Sequence, residues 1–424
     1  KKMKVTLLDI YRKSNYKISK NTNSGMGTGN NYGNNIVGKI QNLLIKKSIH
    51  YPPQNCLYIM SILCNEGHEV IYSETLTENQ SDLYIFTSSL VNFETELNSL
   101  IKLRELTNKP FIFIGSAAEF NYKKIISSDK KNKTFVIAGE AEGFFFENRK
   151  LINENFFLKF ENKITYKKLY NLDEFPLPAW EIIFKYSSKS KMIFLGLNNK
   201  SITIEGSRGC PYSCSFYCCY PNIQGNKLRL RKPQKILDEM LYFNEKLNVK
   251  NFTFRDPVFS ISKRHVVELL NKIILTNKKF NICVETQLKD MDQEMVQLMK
   301  KAGVKLIYVG VESSELEVLE SAKRKNPTNE NILEKVNYIE KSGIMIKCNY
   351  ILGLPADDFN SSLKTIKFAE KINSVFAQFT IFTPMPNTPA WKLYEDKITS
   401  KKYEEFTMWD LIFDHKNLTE KDIN

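Results

Sequence analysis

The stretch from residue 201 to residue 220 reads Ser201-Ile-Thr-Ile-Glu-Gly-Ser-Arg-Gly-Cys-Pro-Tyr-Ser-Cys-Ser-Phe-Tyr-Cys-Cys-Tyr220. Its first six residues predict a β-strand, and four of the eight cysteines of the chain lie in the loop that leaves this strand. Thiolates so closely spaced, with Gly209 and Pro211 shaping the backbone, suit a compact iron–sulfur cluster. A zinc site would add a second Cys or His pair elsewhere, and the sequence has none at ligand-like spacing. The stretch therefore predicts a metal-cluster loop at the carboxyl end of a strand.

Strand and helix signals alternate after this stretch as far as residue 395. Apolar runs of strand length are separated by segments with helical periodicity, and this pattern predicts a partial (β/α)6 barrel of TIM-like type, with its chemistry at the carboxyl ends of the strands. The predicted strands are Ser201–Gly206, Asn251–Arg255, Phe280–Glu285, Lys305–Val311, Met345–Leu352 and Ala377–Phe382.

Residues 1–150 show a second alternation of the same kind. Short apolar runs separated by helical segments indicate a parallel, doubly wound, Rossmann-like sheet, so the whole chain is expected to be α/β. Pro176 and Pro178 favour an extended connector, because proline fixes φ and restricts the residue before it. We therefore expect domains at 1–150 and 199–395, a linker at 151–198 and a C-terminal tail at 396–424.

Composition narrows the class of protein. The formal net charge is +14, but the lysines are spread along the chain without a compact arginine stripe, so nucleic-acid binding is not favoured. The apolar runs are far shorter than the roughly 18 residues of a membrane span. The start of the chain indicates a first strand rather than a signal peptide. Clustered cysteines indicate metal binding in a reducing compartment, and hence a cytoplasmic protein.

The cysteine loop resembles that of the radical S-adenosylmethionine (radical SAM) enzymes, whose motif is Cys-x3-Cys-x2-Cys with an aromatic residue before the last cysteine. Cys210 and Cys214 match, but Tyr217 stands where the third cysteine is expected. Either Cys218 or Cys219 can supply the third thiolate, and Cys218 is favoured because Tyr217 then provides the preceding aromatic. The resemblance implies a [4Fe-4S] cluster on Cys210, Cys214 and Cys218, with one iron left open.

The resemblance also implies which residues contact SAM. Polar groups at successive strand ends match the family in order, as do the segments Tyr350–Pro355 and Thr383–Pro389. The implied SAM-binding residues are Tyr217, Asp256, Glu285, Glu312, Ser313, Asn349 and Ile351.

The first 150 residues resemble the cobalamin-binding domain that precedes the barrel in one large radical SAM subfamily. The motif Asp-x-His-x-x-Gly is absent, as is usual in that subfamily, where the lower face of the cobalt lacks a His ligand. The implied cobalamin-binding residues are Thr87, Ser88, Gly115, Ser116, Gly139 and Glu140.

Together the two resemblances imply an anaerobic enzyme that reductively cleaves SAM to a 5′-deoxyadenosyl radical. The expected outcome is cobalamin-dependent C-methylation of an unactivated carbon in a natural product, lipid or peptide, with flavodoxin or ferredoxin as electron donor. A rearrangement, cyclisation or oxidation without methyl transfer is the alternative within the enzyme class. A non-catalytic cobalamin or redox sensor is the alternative outside it.

Overall fold

The computed structural model describes residues 2–33, 35–46, 50–76, 80–187, 191–192 and 199–423. These residues divide into two compact units. The first comprises the chain up to residue 194 together with Lys401–Thr407, and the second comprises the remainder, including residues 408–423. The residues expected to form the C-terminal tail are thus shared between both units.

Strands and helices alternate in each unit, as the apolar runs predict. The strands are β1 Lys4–Leu8, β2 Lys17–Ser19, β3 Thr28–Asn30, β4 Glu69–Ser73, β5 Leu83–Thr87, β6 Phe111–Ile114, β7 Thr134–Gly139, β8 Lys163–Tyr166, β9 Lys191–Met192, β10 Asn199–Ile204, β11 Ser207–Arg208, β12 Arg229–Leu230, β13 Asn251–Phe254, β14 Asn281–Thr286, β15 Val304–Glu312, β16 Met345–Leu352 and β17 Phe376–Ile381. The helices are α1 Ile36–Lys46, α2 Gln54–Asn65, α3 Phe93–Leu106, α4 Ser116–Phe120, α5 Tyr122–Ser127, α6 Ala141–Asn148, α7 Trp180–Tyr186, α8 Cys219–Gln224, α9 Pro233–Leu247, α10 Lys263–Leu275, α11 Gln293–Ala302, α12 Leu316–Ser321, α13 Asn329–Lys341, α14 Phe359–Ile372, α15 Pro389–Tyr394 and α16 Glu420–Ile423.

The first unit is built on a parallel sheet with strand order β4-β1-β5-β6-β7-β8. Its central strands are continuous apolar runs because helices cover both faces of such a sheet. Phe86 on β5 stacks on Phe113 on β6 with ring centroids 4.5 Å apart, and both side chains are fully buried. The prediction of an α/β fold with a parallel sheet is confirmed here.

The sheet of the first unit extends into the segment expected to be a linker. Strand β8 pairs in parallel with β7, with Ile164 opposite Ile137. A sheet edge needs little apolar sequence, since only Ile164 of the four β8 residues is buried, and the pattern Lys-Ile-Thr-Tyr gave no strand signal. Residues 401–407 also belong to this unit: Arg12 Nη2 donates a hydrogen bond to the Glu404 carbonyl at 2.9 Å.

The second unit contains six parallel strands in the sequential order β10-β13-β14-β15-β16-β17, separated by helices. The two faces of this sheet differ. One face is mostly buried and apolar, with Phe252, Val284, Ile307, Val309 and Ile346 at 0% exposure. The opposite face stays partly open and carries mostly polar side chains, among them Thr253, Glu285, Tyr308, Lys347, Asn349 and Gln378. A sheet covered by helices on both faces would be apolar on both, so this open face is built to meet something polar.

None of the helices in the described part of the chain combines the length and apolar composition that crossing a membrane requires.

Replacement of Phe113 by alanine tests the packing of the first unit. Phe113→Ala removes a fully buried ring stacked on Phe86, and we expect the free energy of unfolding to fall by about 3–5 kcal/mol. Leu106→Ala is the control, because Leu106 is 74% exposed and should change stability by less than about 0.5 kcal/mol. Urea unfolding followed by circular dichroism measures both variants. Equal losses in the two variants would show that the stacked pair is not part of the core.

Candidate functional site

The cysteine loop is closed at its base by a small hairpin. Strands β11 and β12 pair antiparallel, with Ser207 opposite Leu230 and Arg208 opposite Arg229. Gly209 follows with φ +84°, and a Cβ atom there would lie 2.2 Å from the Lys227 carbonyl oxygen. Only glycine fits this position, because an L-residue would combine a strained φ with a backbone clash. The loop that starts at Cys210 is therefore held in a defined place after β10.

Hydrogen bonds within the loop hold its shape. The Cys210 amide donates to the Gly225 carbonyl at 3.1 Å, and the Cys218 amide donates to the Cys214 carbonyl at 3.0 Å. The Asn222 side-chain amide donates to the Ser215 and Cys218 carbonyls, both at 2.8 Å. These contacts satisfy backbone groups that would otherwise need water or a ligand, so the loop is organised by the protein itself.

The four cysteines differ in accessibility. Cys210 and Cys214 are buried, Cys218 is half-buried, and Cys219, the first residue of α8, is fully buried at 0% exposure. The thiol of Cys218 hydrogen-bonds to Cys214, and this bond, followed by the nearby Arg324 guanidinium, lowers the pKa of Cys214 to about 6. The same bond raises the pKa of Cys218. Cys214 and Cys218 are thus adjacent, which agrees with the choice of Cys218 over Cys219.

No three His, Cys, Asp or Glu side chains among the described residues converge on the position of a single metal ion. A four-iron cluster does not require such convergence, since each thiolate binds a different iron. The soft thiolate donors on this short, fixed loop fit such a cluster.

A buried ionic group adjoins Cys214. Arg324 Nη2 donates to the Gly310 carbonyl at 2.9 Å and lies 3.7 Å from Glu312 Oε1. Glu312 adopts φ +62° and hydrogen-bonds to Tyr217, and burial raises the pKa of both side chains. The structure thus brings together Tyr217 and Glu312, both predicted site residues, with Arg324. Nothing in the sequence pattern singles out Arg324, which lies in a polar segment after α12.

Glu285 lies near the same group of charges. It is exposed, yet the surrounding protein removes enough hydration to raise its pKa, with Arg255, Glu312 and Lys347 also acting on its charge. A carboxylate that is exposed to solvent and yet closely surrounded by protein lines a concave space rather than a convex surface. Tyr220 lies close enough to both Glu285 and Cys218 to feel their charges. Burial is the main cause that raises the pKa of Tyr220, and these two charges raise it further.

Asp256, a predicted SAM contact, is held by hydrogen bonds to the residues that precede the cysteine loop. Its carboxylate accepts hydrogen bonds from the Gly206 amide at 2.9 Å and from the Ser207 hydroxyl at 2.6 Å, and its side chain is buried. Burial raises the pKa of Asp256 to about 7. The structure therefore gives Asp256 a bracing role at the start of the cysteine loop, and contact with SAM stays a prediction.

The remaining predicted SAM-binding residues lie on β16 and in the loop after β15. The Ser313 hydroxyl is buried, lies 3.1 Å from Thr365 Oγ1 and accepts a hydrogen bond from the Glu315 amide at 3.1 Å. Asn349 pairs with Gly310 in the sheet register and shares the open face with Ile351. Ser313 is thus engaged by protein groups, whereas Asn349 faces the open side.

The predicted cobalamin-binding residues lie at one edge of the first sheet. They follow the carboxyl ends of the adjacent parallel strands β5, β6 and β7. Gly115 has φ +101° and Gly139 has φ +98°, and a Cβ atom at either would lie less than 3 Å from a backbone oxygen, at 2.7 Å and 2.1 Å. Ser116 Oγ donates to the Ser24 carbonyl at 3.3 Å. The structure thus brings the six residues to the edge where doubly wound sheets bind ligands.

A buried charged network adjoins this edge, and no sequence pattern predicts it. Lys20 Nζ lies 3.3 Å from Asp9 and 2.8 Å from Glu96, and it donates to the Thr87 carbonyl at 3.0 Å. Ser88 Oγ donates to Glu96 at 2.6 Å. The Thr87 carbonyl and the Ser88 hydroxyl are therefore already engaged by this network.

Comparison with known proteins agrees with this architecture. Residues 204–369 match the model of the radical SAM superfamily. An uncharacterized methyltransferase of Pyrococcus horikoshii is 24% identical over 304 residues, which are 68% of this chain and 64% of that protein. The chain thus spans slightly less than two thirds of that relative.

Two solved structures share the fold at low sequence identity. The radical SAM methyltransferase TsrM from Kitasatospora setae, solved with tryptophan substrate and a SAM analogue, has a TM-score of 0.62 at 16% identity, covering 82% of this chain and 74% of TsrM. The cobalamin-dependent radical enzyme OxsB, solved with aqua-cobalamin and SAM, has a TM-score of 0.68 at 12% identity, covering 98% of this chain and 65% of OxsB. Residues 204–369 are therefore a radical SAM domain, and the chain shares its fold with TsrM and OxsB.

Proposed function

We propose that this chain is a radical SAM enzyme that cleaves SAM reductively and uses cobalamin to methylate an unactivated carbon of a natural product, lipid or peptide. The observation that carries the proposal is the cysteine loop, organised by its own hydrogen bonds after the first strand of the radical SAM domain. An electron donor such as flavodoxin or ferredoxin completes the system.

Cys210, Cys214 and Cys218 would hold the [4Fe-4S] cluster. When bound, such a cluster offers one iron without a protein ligand to SAM and supplies the electron that cleaves it. Arg324 offsets the negative charge of the thiolates near Cys214, and its bond to the Gly310 carbonyl keeps it there. Because this guanidinium is held before any ligand arrives, little reorganisation is needed when charge moves.

The open polar face of the second sheet is proposed to be the interior of the partial barrel. Sequential parallel strands with one helix-covered face and one half-open polar face support this interpretation. Tyr217, Glu285, Glu312 and Asn349 would then bind SAM at the carboxyl ends of the strands. Their role is to orient the reacting carbon and exclude water, because a radical reacts with whatever it meets first.

The carboxyl edge of the first sheet is the proposed cobalamin site. Gly115 and Gly139 shape the backbone at this edge, since a side chain at either position would clash with the carbonyl oxygen of Ser88 or Tyr166. When bound, cobalamin would supply the methyl group that is transferred. The test is an anaerobic assay of product mass, in which methylation adds one methylene per turnover and rearrangement, cyclisation or oxidation does not.

Alanine variants of the four clustered cysteines test the ligand assignment. Each of Cys210→Ala, Cys214→Ala and Cys218→Ala should lose the [4Fe-4S] absorbance and form no 5′-deoxyadenosine, because each removes one iron ligand. Cys219→Ala is the matched control, since Cys219 is fully buried at the start of α8, and it should keep its iron. Iron counting after anaerobic reconstitution and chromatographic detection of 5′-deoxyadenosine provide the readouts. A cluster retained in Cys218→Ala and lost in Cys219→Ala would contradict the assignment.

Removal of the Arg324 charge tests its proposed electrostatic role. Arg324→Gln should lower the reduction potential of the cluster by about 60 mV, the one-electron equivalent of losing a hydrogen bond to a charged group of about 1.4 kcal/mol. The neighbouring Lys325→Gln removes the same charge from an exposed position and should leave the potential unchanged. Redox titration followed by electron paramagnetic resonance measures both variants. Equal shifts would mean that Arg324 acts only through the net charge of the protein.

A further inference from the structure

Five side chains form one row across the open face of the second sheet. Glu285 on β14 lies opposite Tyr308 on β15 in the strand register, and Tyr308 lies opposite Lys347 on β16. Lys347 in turn lies opposite Phe376 on β17, and Arg255 follows the end of β13 at the level of Glu285. Read across the sheet from β13 to β17, the row therefore consists of a basic, an acidic and a phenolic side chain, followed by a second basic and an aromatic side chain.

The row includes Glu285, a predicted SAM contact, and its member on β16, Lys347, lies one step deeper than Asn349 and Ile351. Lys347 precedes Asn349 by two residues on the same face of β16, so it lies about 7 Å farther from the carboxyl end of the strand. The row is thus deeper along the open face than Asn349 and Ile351. A group bound at Lys347 would therefore lie deeper along the open face than a group that contacts those two residues.

The surroundings of Lys347 orient its ammonium group without neutralising it. Its Nζ lies 5.6 Å from the centroid of the Tyr308 ring and hydrogen-bonds to the Gln378 side-chain oxygen. Among the described residues, Glu285 is the one carboxylate whose charge acts on Lys347, and the two side chains make no direct ion pair. Their backbones are two strand spacings apart, about 10 Å.

A cation in such a place is costly without an anion. Burial lowers the pKa of Lys347 to about 8, which means that the surrounding protein disfavours its charged form. A buried ammonium is stabilised by a charged partner with hydrogen bonds, and here the partner supplied by the chain is a neutral amide. The described residues therefore give Lys347 a neutral acceptor and no carboxylate in direct contact.

We propose that Lys347, oriented by Gln378 and flanked by Tyr308, binds a carboxylate group of the substrate. This inference rests on the proposed function, because it assigns the open face of the second sheet to substrate. Glu285 and Phe376 lie on either side of Lys347 in the row, so the carboxylate-bearing part of the substrate would lie between an acidic and an aromatic side chain. A neutral lipid would leave Lys347 without an anionic partner and is disfavoured as a substrate.

Matched pairs of acids and amides test this carboxylate site. The probes are indole-3-propionate with indole-3-propionamide, and decanoate with decanamide, titrated calorimetrically into the anaerobically reconstituted chain. At least one acid should bind about tenfold more tightly than its amide, because a hydrogen bond to a charged group is stronger than one between neutral groups. Lys347→Met should abolish the preference, and Lys347→Arg should retain part of it.

Lys305→Met is the control, since Lys305 lies exposed at the start of β15, and it should keep the wild-type preference. Equal affinity of acids and amides for the wild type would overturn the proposal. So would an acid preference that survives in Lys347→Met while circular dichroism shows a folded chain. Formation of 5′-deoxyadenosine by the wild type is measured separately. An acid preference without it would refute the proposed function and leave the carboxylate site standing.

Discussion

Under the proposed function the second unit depends on one constraint: three thiolates must be held at the carboxyl end of the first strand before a cluster can bind them. The β11–β12 hairpin closes the base of the loop, Gly209 turns the backbone where no side chain fits, and Asn222 fixes the far end. Asp256 braces the same region through two hydrogen bonds to residues between β10 and the cysteines. The geometry of the loop is thus determined by backbone contacts, and the cysteines add their chemistry to a fixed scaffold.

The asymmetry of the sheet follows from the same requirement. A radical reaction needs a space from which water is excluded and in which polar groups orient two ligands. One face of the sheet packs apolar side chains against helices, while the other keeps Glu285, Tyr308, Lys347 and Asn349 accessible. Side chains alternate between the two faces of a strand, so the same strands can contribute stability on one face and the proposed ligand binding on the other.

Much of this arrangement could be predicted from the sequence. Apolar runs of strand length revealed the parallel sheets, and the cysteine spacing located the loop, because both signals are local. Contacts between distant residues could not be predicted. Arg324 reaches the Cys214 region only through the fold, Lys20 reaches Glu96 across the first sheet, and Tyr403 packs 6.2 Å from Phe93 although 310 positions separate them in the sequence. Strand β8 could not be predicted because an edge strand needs only one buried residue.

The proposed function depends on one iron of the cluster being open to SAM. The measurement that tests it most directly is the electron paramagnetic resonance spectrum of the reduced, reconstituted chain, recorded with and without SAM. We predict one [4Fe-4S] signal per chain whose g-values change when SAM is added, since SAM would bind the iron that lacks a cysteine ligand. A fully loaded cluster whose spectrum is the same with and without SAM would contradict the account.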